Sequence, residues 1–213
     1  KKSSSSFNKY AYQTVASVAS GNGWDFTYIR RVNIMLSHID GSKMTDAQKD
    51  HWRAVGYFFH SFWYMELIDR FGDVPWVDKV LQENSEETYG PRMARKEAAD
   101  KVLDRLKWAE EHIGSSAADG SNTINQNCVR AAISRFALRE GTWRKYHELG
   151  DYDKYFEECV RVSKLLMDAY PALYYGTDGQ PAAGYGEMWT TGDLTGVPGV
   201  IFFKAYESGK NEH

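Results

Sequence analysis

The sequence predicts an all-α protein, a tetratricopeptide-like stack of helices with irregular loops between and after them. Three observations predict it. Only 5 of 213 residues are proline, the residue that interrupts helices. Apolar residues recur at spacings of three and four over several long stretches, the period of a helix with one face in a core. Residues that start and stop helices bound those stretches.

Ser20 to Asp25 is a turn-rich loop, and Tyr28 to His38 follows as a short helix with Ile29, Val32 and Leu36 on one face. Asp40-Gly41-Ser42 breaks the chain. Thr45-Asp46-Ala47-Gln48 then reads as a capping box opening a helix that runs to about Phe71. Its expected apolar stripe is Trp52, Val55, Phe59, Phe62, Trp63, Leu67 and Phe71. Gly72 sits where a positive-φ cap belongs, and Pro75 forbids continuation. Lys79 to Arg92 is a polar connector.

A second long helix is expected over Arg95 to Ile113, with Ala98, Val102, Leu106 and Ala109 on one side, followed by a loop from Gly114 to Asn122. A third helix runs from about Gln126 to His147. After the turn Glu148-Leu149-Gly150-Asp151, a fourth covers about Tyr152 to Ala169 and carries Phe156, Cys159, Val160, Ser163, Leu166 and Met167. The small residues Ala132 and Gly141 and the short turn give this last pair its tetratricopeptide character. From Tyr170 onward glycine and proline become frequent, and only Gly199 to Phe203 reads as a strand. It has no evident pairing partner, as though the fold continued beyond the chain.

The 26 Lys and Arg against 29 Asp and Glu leave a formal net charge of −3, which argues against binding nucleic-acid phosphates. With 42% hydrophobic and 26% charged residues the composition is that of a folded soluble protein. Cys128 and Cys159 read as small hydrophobes on neighbouring helices, with a bridge open to them in an oxidising compartment. No signal peptide opens the chain. The most apolar run, Ala54 to Ile68, contains His60 and Glu66 and is too short for a membrane span.

Catalytic signatures are missing. There is no His-Glu-x-x-His, no phosphate-binding glycine loop and no Gly-x-Ser-x-Gly. The Glu110-Glu111-His112 and Glu157-Glu158 runs read as solvated helix faces. The scattered acids Asp25, Asp73 and Glu187 leave glycoside hydrolysis formally open. What stands out is the aromatic load of 7 Trp, 14 Tyr and 10 Phe. Such rings serve as core anchors or as platforms for the C–H faces of sugars. Trp24, between Asn22 and Asp25, has the makeup of a sugar platform with hydrogen-bonding neighbours; it equally suits a staple holding the loop to the next helix. Trp76 divides in the same way. Trp52, Trp63, Trp108 and Trp143 are expected to pack between helices.

Three blocks occur in order: Trp24 to Asn33, His51 to Phe59, and Asp69-Arg70-Phe71-Gly72-Asp73-Val74-Pro75-Trp76. Together with Glu140 to His147 and Gly150-Asp151-Tyr152, they resemble the SusD/RagB family of outer-membrane nutrient-binding lipoproteins of Bacteroidetes. The resemblance implies that residues 1–213 are the N-terminal helical region of such a protein, without its C-terminal portion. It implies non-catalytic binding of a starch-like oligosaccharide or polysaccharide at the cell surface and delivery to a SusC-like TonB-dependent transporter, with no cofactor and no metal. Membrane attachment would come from a lipid anchor that this chain does not contain. The residues expected to touch sugar are Asn22, Trp24 and Asp25, and Gly72, Asp73 and Pro75 would shape the helix exit. The alternative is a helical-repeat module that binds a protein partner and no sugar.

Overall fold

A computed structural model describes residues 24–114, 122–177, 179 and 181–203. Within them lie six α-helices: α1 (Thr27–Ile39), α2 (Asp46–Phe71), α3 (Arg95–His112), α4 (Gln126–Tyr146), α5 (Asp153–Ala169) and α6 (Pro181–Thr190). From α1 to α5 each helix packs on its neighbour in chain order, while α2 and α4 meet only briefly. This is the neighbour-on-neighbour arrangement of a helical stack. One continuous core runs from Ile29 on α1 to Val162 on α5.

The caps are where the sequence places them. The Gln48 amide N–H donates to Thr45 Oγ1 at 3.3 Å, and Thr45 N–H donates to Gln48 Oε1 at 3.0 Å, completing the box. Gly72 closes α2 at φ 70°, donating to the Ile68 carbonyl at 2.9 Å. Two residues on, Val74 and Met93 exchange backbone hydrogen bonds of 3.1 and 2.9 Å, pinching the base of the connector. That connector holds a single 3-10 turn, Glu86–Tyr89. Asp73 Oδ1 accepts the Arg95 N–H at 2.8 Å, so the residue just past the cap of α2 fastens the start of α3.

Helix faces agree less uniformly. The buried side of α3 is the one expected. On α2, Phe59 and Phe62 are exposed while Phe58, Tyr64, Met65 and Ile68 are buried. The helix is apolar nearly all round because α1 and α3 both lie against it, so the period alone misplaces its stripe. On α5 the buried positions are Tyr155 and Val162, and Val160 and Met167 face solvent. Gly141 lets α5 approach α4 closely: a Cβ there would lie 2.8 Å from the Phe156 ring.

Three expectations are corrected. Glu110 is not on a solvated face; it is buried and accepts from Arg130 Nε at 2.8 Å and Arg161 Nη2 at 2.5 Å. The segment near Phe203 is not a strand. Asn122 serves as its partner, its Nδ2 donating to the Phe203 carbonyl at 2.7 Å and its Oδ1 accepting the Phe203 N–H at 3.2 Å. One side-chain amide thus makes both bonds of a strand pair. Helix α6 lies in a stretch whose glycines read as loop. Pro181 occupies its first position, where a missing N–H costs nothing, and a side chain on Gly184 would strike the Tyr175–Gly176 backbone. Cys128 and Cys159 are both free thiols. The 114–122 loop lies mostly outside the described residues.

The helices are locked by a buried ionic cluster. Arg144, with no exposed surface, donates to Glu140 Oε1 at 2.8 Å, Asp100 Oδ1 at 2.8 Å, the Tyr155 hydroxyl at 3.0 Å and the Lys96 carbonyl at 2.9 Å. Tyr155 in turn donates to Asp100 at 2.6 Å, and Arg95 pairs with Glu140 at 2.8 Å. Removing one member of a buried pair strands its partners without solvent. Arg144→Ala is therefore expected to lower unfolding free energy by about 3–5 kcal/mol, read by urea denaturation. A loss below about 1 kcal/mol would show the cluster to be ornamental to stability.

Candidate functional site

Trp24 and Asp25 come together where α1 begins. The Asp25 carboxylate accepts from Thr27 N–H at 2.8 Å and Thr27 Oγ1 at 2.6 Å, fastening the first turn of the helix. Those hydrogen bonds hold its pKa below the ordinary carboxylate value. Its backbone carbonyl accepts the Trp63 indole N–H at 2.8 Å. Trp24 is half-buried. Its ring meets Phe71 edge-on at 4.8 Å and Phe26 at 5.4 Å, and the Arg92 guanidinium lies 4.7 Å over it. Asn22 lies outside the described residues.

Both residues line a cleft of about 490 Å³ between the start of α1 and the connector after α2. Ile29, Pro75, Val77 and Leu81 give it an apolar floor, and Thr27, Arg30, Lys79, Glu87 and Thr88 bring polar groups to it. Lys79 and Glu87 form an ion pair there, which lowers the Glu87 pKa. Arg30 is held by the Leu81 carbonyl at 2.9 Å. The cleft thus combines an indole with carboxylates, cationic groups and hydroxyls, a set able to hold a polyhydroxyl ligand by ring contact and hydrogen bonds.

Trp76 packs instead into an aromatic cluster, 4.4 Å from Tyr64 and 5.2 Å from His60, with Arg105 at 5.0 Å over its ring. Its indole N–H donates to Asp78 at 3.1 Å. Trp52, Trp63 and Trp108 are half-buried against the core, as expected. Trp143 is not; it is 43% exposed on the outer side of α4. The most exposed indole is Trp189 on α6, 68% accessible beside Tyr185. Sequence reasoning passed over it because it lies in the glycine-rich tail; its spacing of four from Tyr185 was the available signal.

Among the described residues no group of three or more His, Cys, Asp and Glu could hold a metal ion, and no helix is long and apolar enough to cross a membrane.

A protein-family model described as "Starch-binding associating with outer membrane", SusD-like, matches residues 1–138. The chain belongs to the SusD-like family. A SusD-like protein from Bacteroides fragilis superposes with a TM-score of 0.66 at 26% identity, over 85% of this chain and 32% of that one. A SusD superfamily protein from Parabacteroides distasonis gives 0.57 at 21% identity, over 68% and 30% of the two chains. A SusD-like carbohydrate-binding protein from Bacteroides vulgatus gives 0.53 at 20%, also over 68% and 30%. The last two share the fold. No curated protein matches the chain. It spans about a third of the length of the solved SusD-like proteins it resembles.

The aromatic cluster behind the cleft has a titratable member. Burial, reinforced by the nearby Arg105 charge, pushes the His60 pKa from 6.5 down to about 3, and its Nε2 lies 2.9 Å from the Val77 carbonyl. The folded protein therefore holds His60 neutral, while the unfolded chain takes up a proton as pH falls through 6.5. Its contribution is complete above that value and declines by about 1.4 kcal/mol per pH unit toward about pH 3. Comparing His60→Asn with the parent protein in urea at stepped pH is expected to show that slope reduced; identical slopes would disprove it.

Proposed function

We propose that this chain is part of a non-catalytic glycan-binding protein of the bacterial outer-membrane surface. In this reading it captures oligosaccharide at the Trp24–Asp25 cleft, with Asn22, two residues earlier in the sequence, and passes it to a SusC-like TonB-dependent transporter. Residues 1–213 belong to its N-terminal helical region, and a lipid anchor attaches the protein to the membrane. The observation that carries the reading is the cleft itself, which sets one indole among fixed hydrogen-bonding groups in a family described as starch-binding. Rigid placement limits the ordering cost of binding. A laminarin-binding SusD-like protein shares the fold, at 15% identity and a TM-score of 0.52.

The carboxylates support binding without cleavage. Glycoside hydrolysis needs one carboxyl held protonated by a raised pKa. Asp25 and Glu87, the acids of the cleft, are both shifted down, by Thr27 and by Lys79 respectively. Asp73 caps α3, and Glu187 is committed to Tyr174 and Thr177.

The exposed rings of Phe59 and Phe62 favour a second reading, a helical module that binds a protein partner. One experiment separates them. Trp24→Ala is expected to weaken retention in affinity gels containing starch or laminarin about tenfold, with the circular dichroism unchanged. Retention unaltered in the folded variant removes Trp24 from the site. A parent protein that no glycan retards favours the protein-binding module.

A further inference from the structure

Two further clefts adjoin one another and share no lining residue with the Trp24 cleft. The first, about 860 Å³, lies between α2, α4 and the end of the described chain, with Phe62 in its wall and Trp189 among its lining residues. The second, about 410 Å³, follows the outer side of α4 along Leu138, Arg139, Thr142, Trp143 and Tyr146. Arg135 lines both, so the two form one track, and it carries the two most exposed indoles of the molecule.

The ends of the track present rings. At one end, Trp189 and Tyr185 sit 6.0 Å apart and angled at 68°. Their helix is fixed by Glu187, which accepts from the Tyr174 hydroxyl at 2.8 Å and from Thr177 N–H at 3.0 Å. At the other end Arg95 backs the Trp143 ring at 4.5 Å and His147 leans on it at 4.1 Å, leaving Tyr146, 82% exposed, as the open ring. The hydroxyls of Thr191 and Thr142 donate to the Glu187 and Leu138 carbonyls, which leaves their lone pairs for an incoming donor.

Charge distinguishes this surface from the Trp24 cleft. None of the described residues lining either part of the track is acidic, although the protein is net negative. Arg139 is neutralised by Asp69, whereas Arg135 has no carboxylate within ion-pair distance among the described residues. An exposed guanidinium between aromatic platforms is a fork suited to a carboxylate.

We infer that the track along α4 and α6 is a second saccharide site, selective for an acidic glycan whose carboxylate pairs with Arg135 while its sugar rings rest on Trp189 and Tyr146. The inference rests on the glycan-binding reading and extends it to a substrate class. The test is titration calorimetry of the full chain with oligogalacturonates and alginate oligomers, against neutral maltooligosaccharides. The acidic sugars bind more tightly and lose affinity as salt rises. Arg135→Gln and Trp189→Ala each weaken acidic binding about tenfold, Arg135→Lys recovers part of the loss, and none of the three alters neutral binding. Acidic sugars binding no better than neutral ones, or Arg135→Gln binding them unchanged, overturns the inference. The glycan-binding reading stands in that case if neutral sugars still bind and Trp24→Ala reduces that binding. A chain that binds neither class overturns both.

Discussion

Arg144 is the constraint on which the arrangement of helices depends. It is a charge removed from water, and its position is tolerable only while Asp100, Glu140, Tyr155 and the Lys96 carbonyl all stay around it. Those groups come from α3, α4 and α5, so one guanidinium fixes three helices at once. Glu110 does the same further along, joining Arg130 of α4 and Arg161 of α5. The two clusters are ten residues apart on α3 and fourteen apart in the reverse sense on α4, about 15 and 21 Å of helix. A slide of α4 along α3 would break both. The polar cores therefore determine which side of α4 faces outward, and the apolar contacts fill in around that choice.

That outward side takes no part in the buried core. α4 buries Val129, Ile133, Phe136 and Ala137 on one side and leaves Arg135, Leu138, Trp143 and Tyr146 on the other. The cleft at the start of α1 is built differently. There the same residues work in both capacities: Asp25 fastens the helix and lines the cleft, and Trp24 packs on Phe71 and lines it too. The lining at that position is tied to the integrity of the first helix, whereas α4 presents its rings on a framework already secured elsewhere.

Much of this was legible in the sequence where the physics is local. The Thr45–Gln48 box, the Gly72 exit and the apolar side of α3 follow from hydrogen bonding and φ preference within a few residues, and the structure has them. What depends on neighbours was harder to read. A helix flanked on two sides, as α2 is, shows no single stripe, and α5 turns its face by one position to seat Tyr155 on Arg144. Glu110 reads as solvated because its cationic partners lie 20 and 51 residues away. α6 was obscured by glycines, of which Gly184 is the one that allows close approach to Tyr175 and Gly176. The Trp24–Asp25 pairing was visible from adjacency, but the joining of Trp189 to Trp143 through Arg135 is a product of tertiary packing alone.

The clasp between Asn122 and Phe203 closes a span of 81 residues with two hydrogen bonds. At about 0.5–1.5 kcal/mol each, they form a far weaker attachment than either ionic cluster. The amide protons around Phe203 should therefore exchange with solvent through a local opening, long before the bundle itself melts. The wall that Val200 to Phe203 gives to the large groove is in this sense a latch, and the width of the groove depends on two hydrogen bonds.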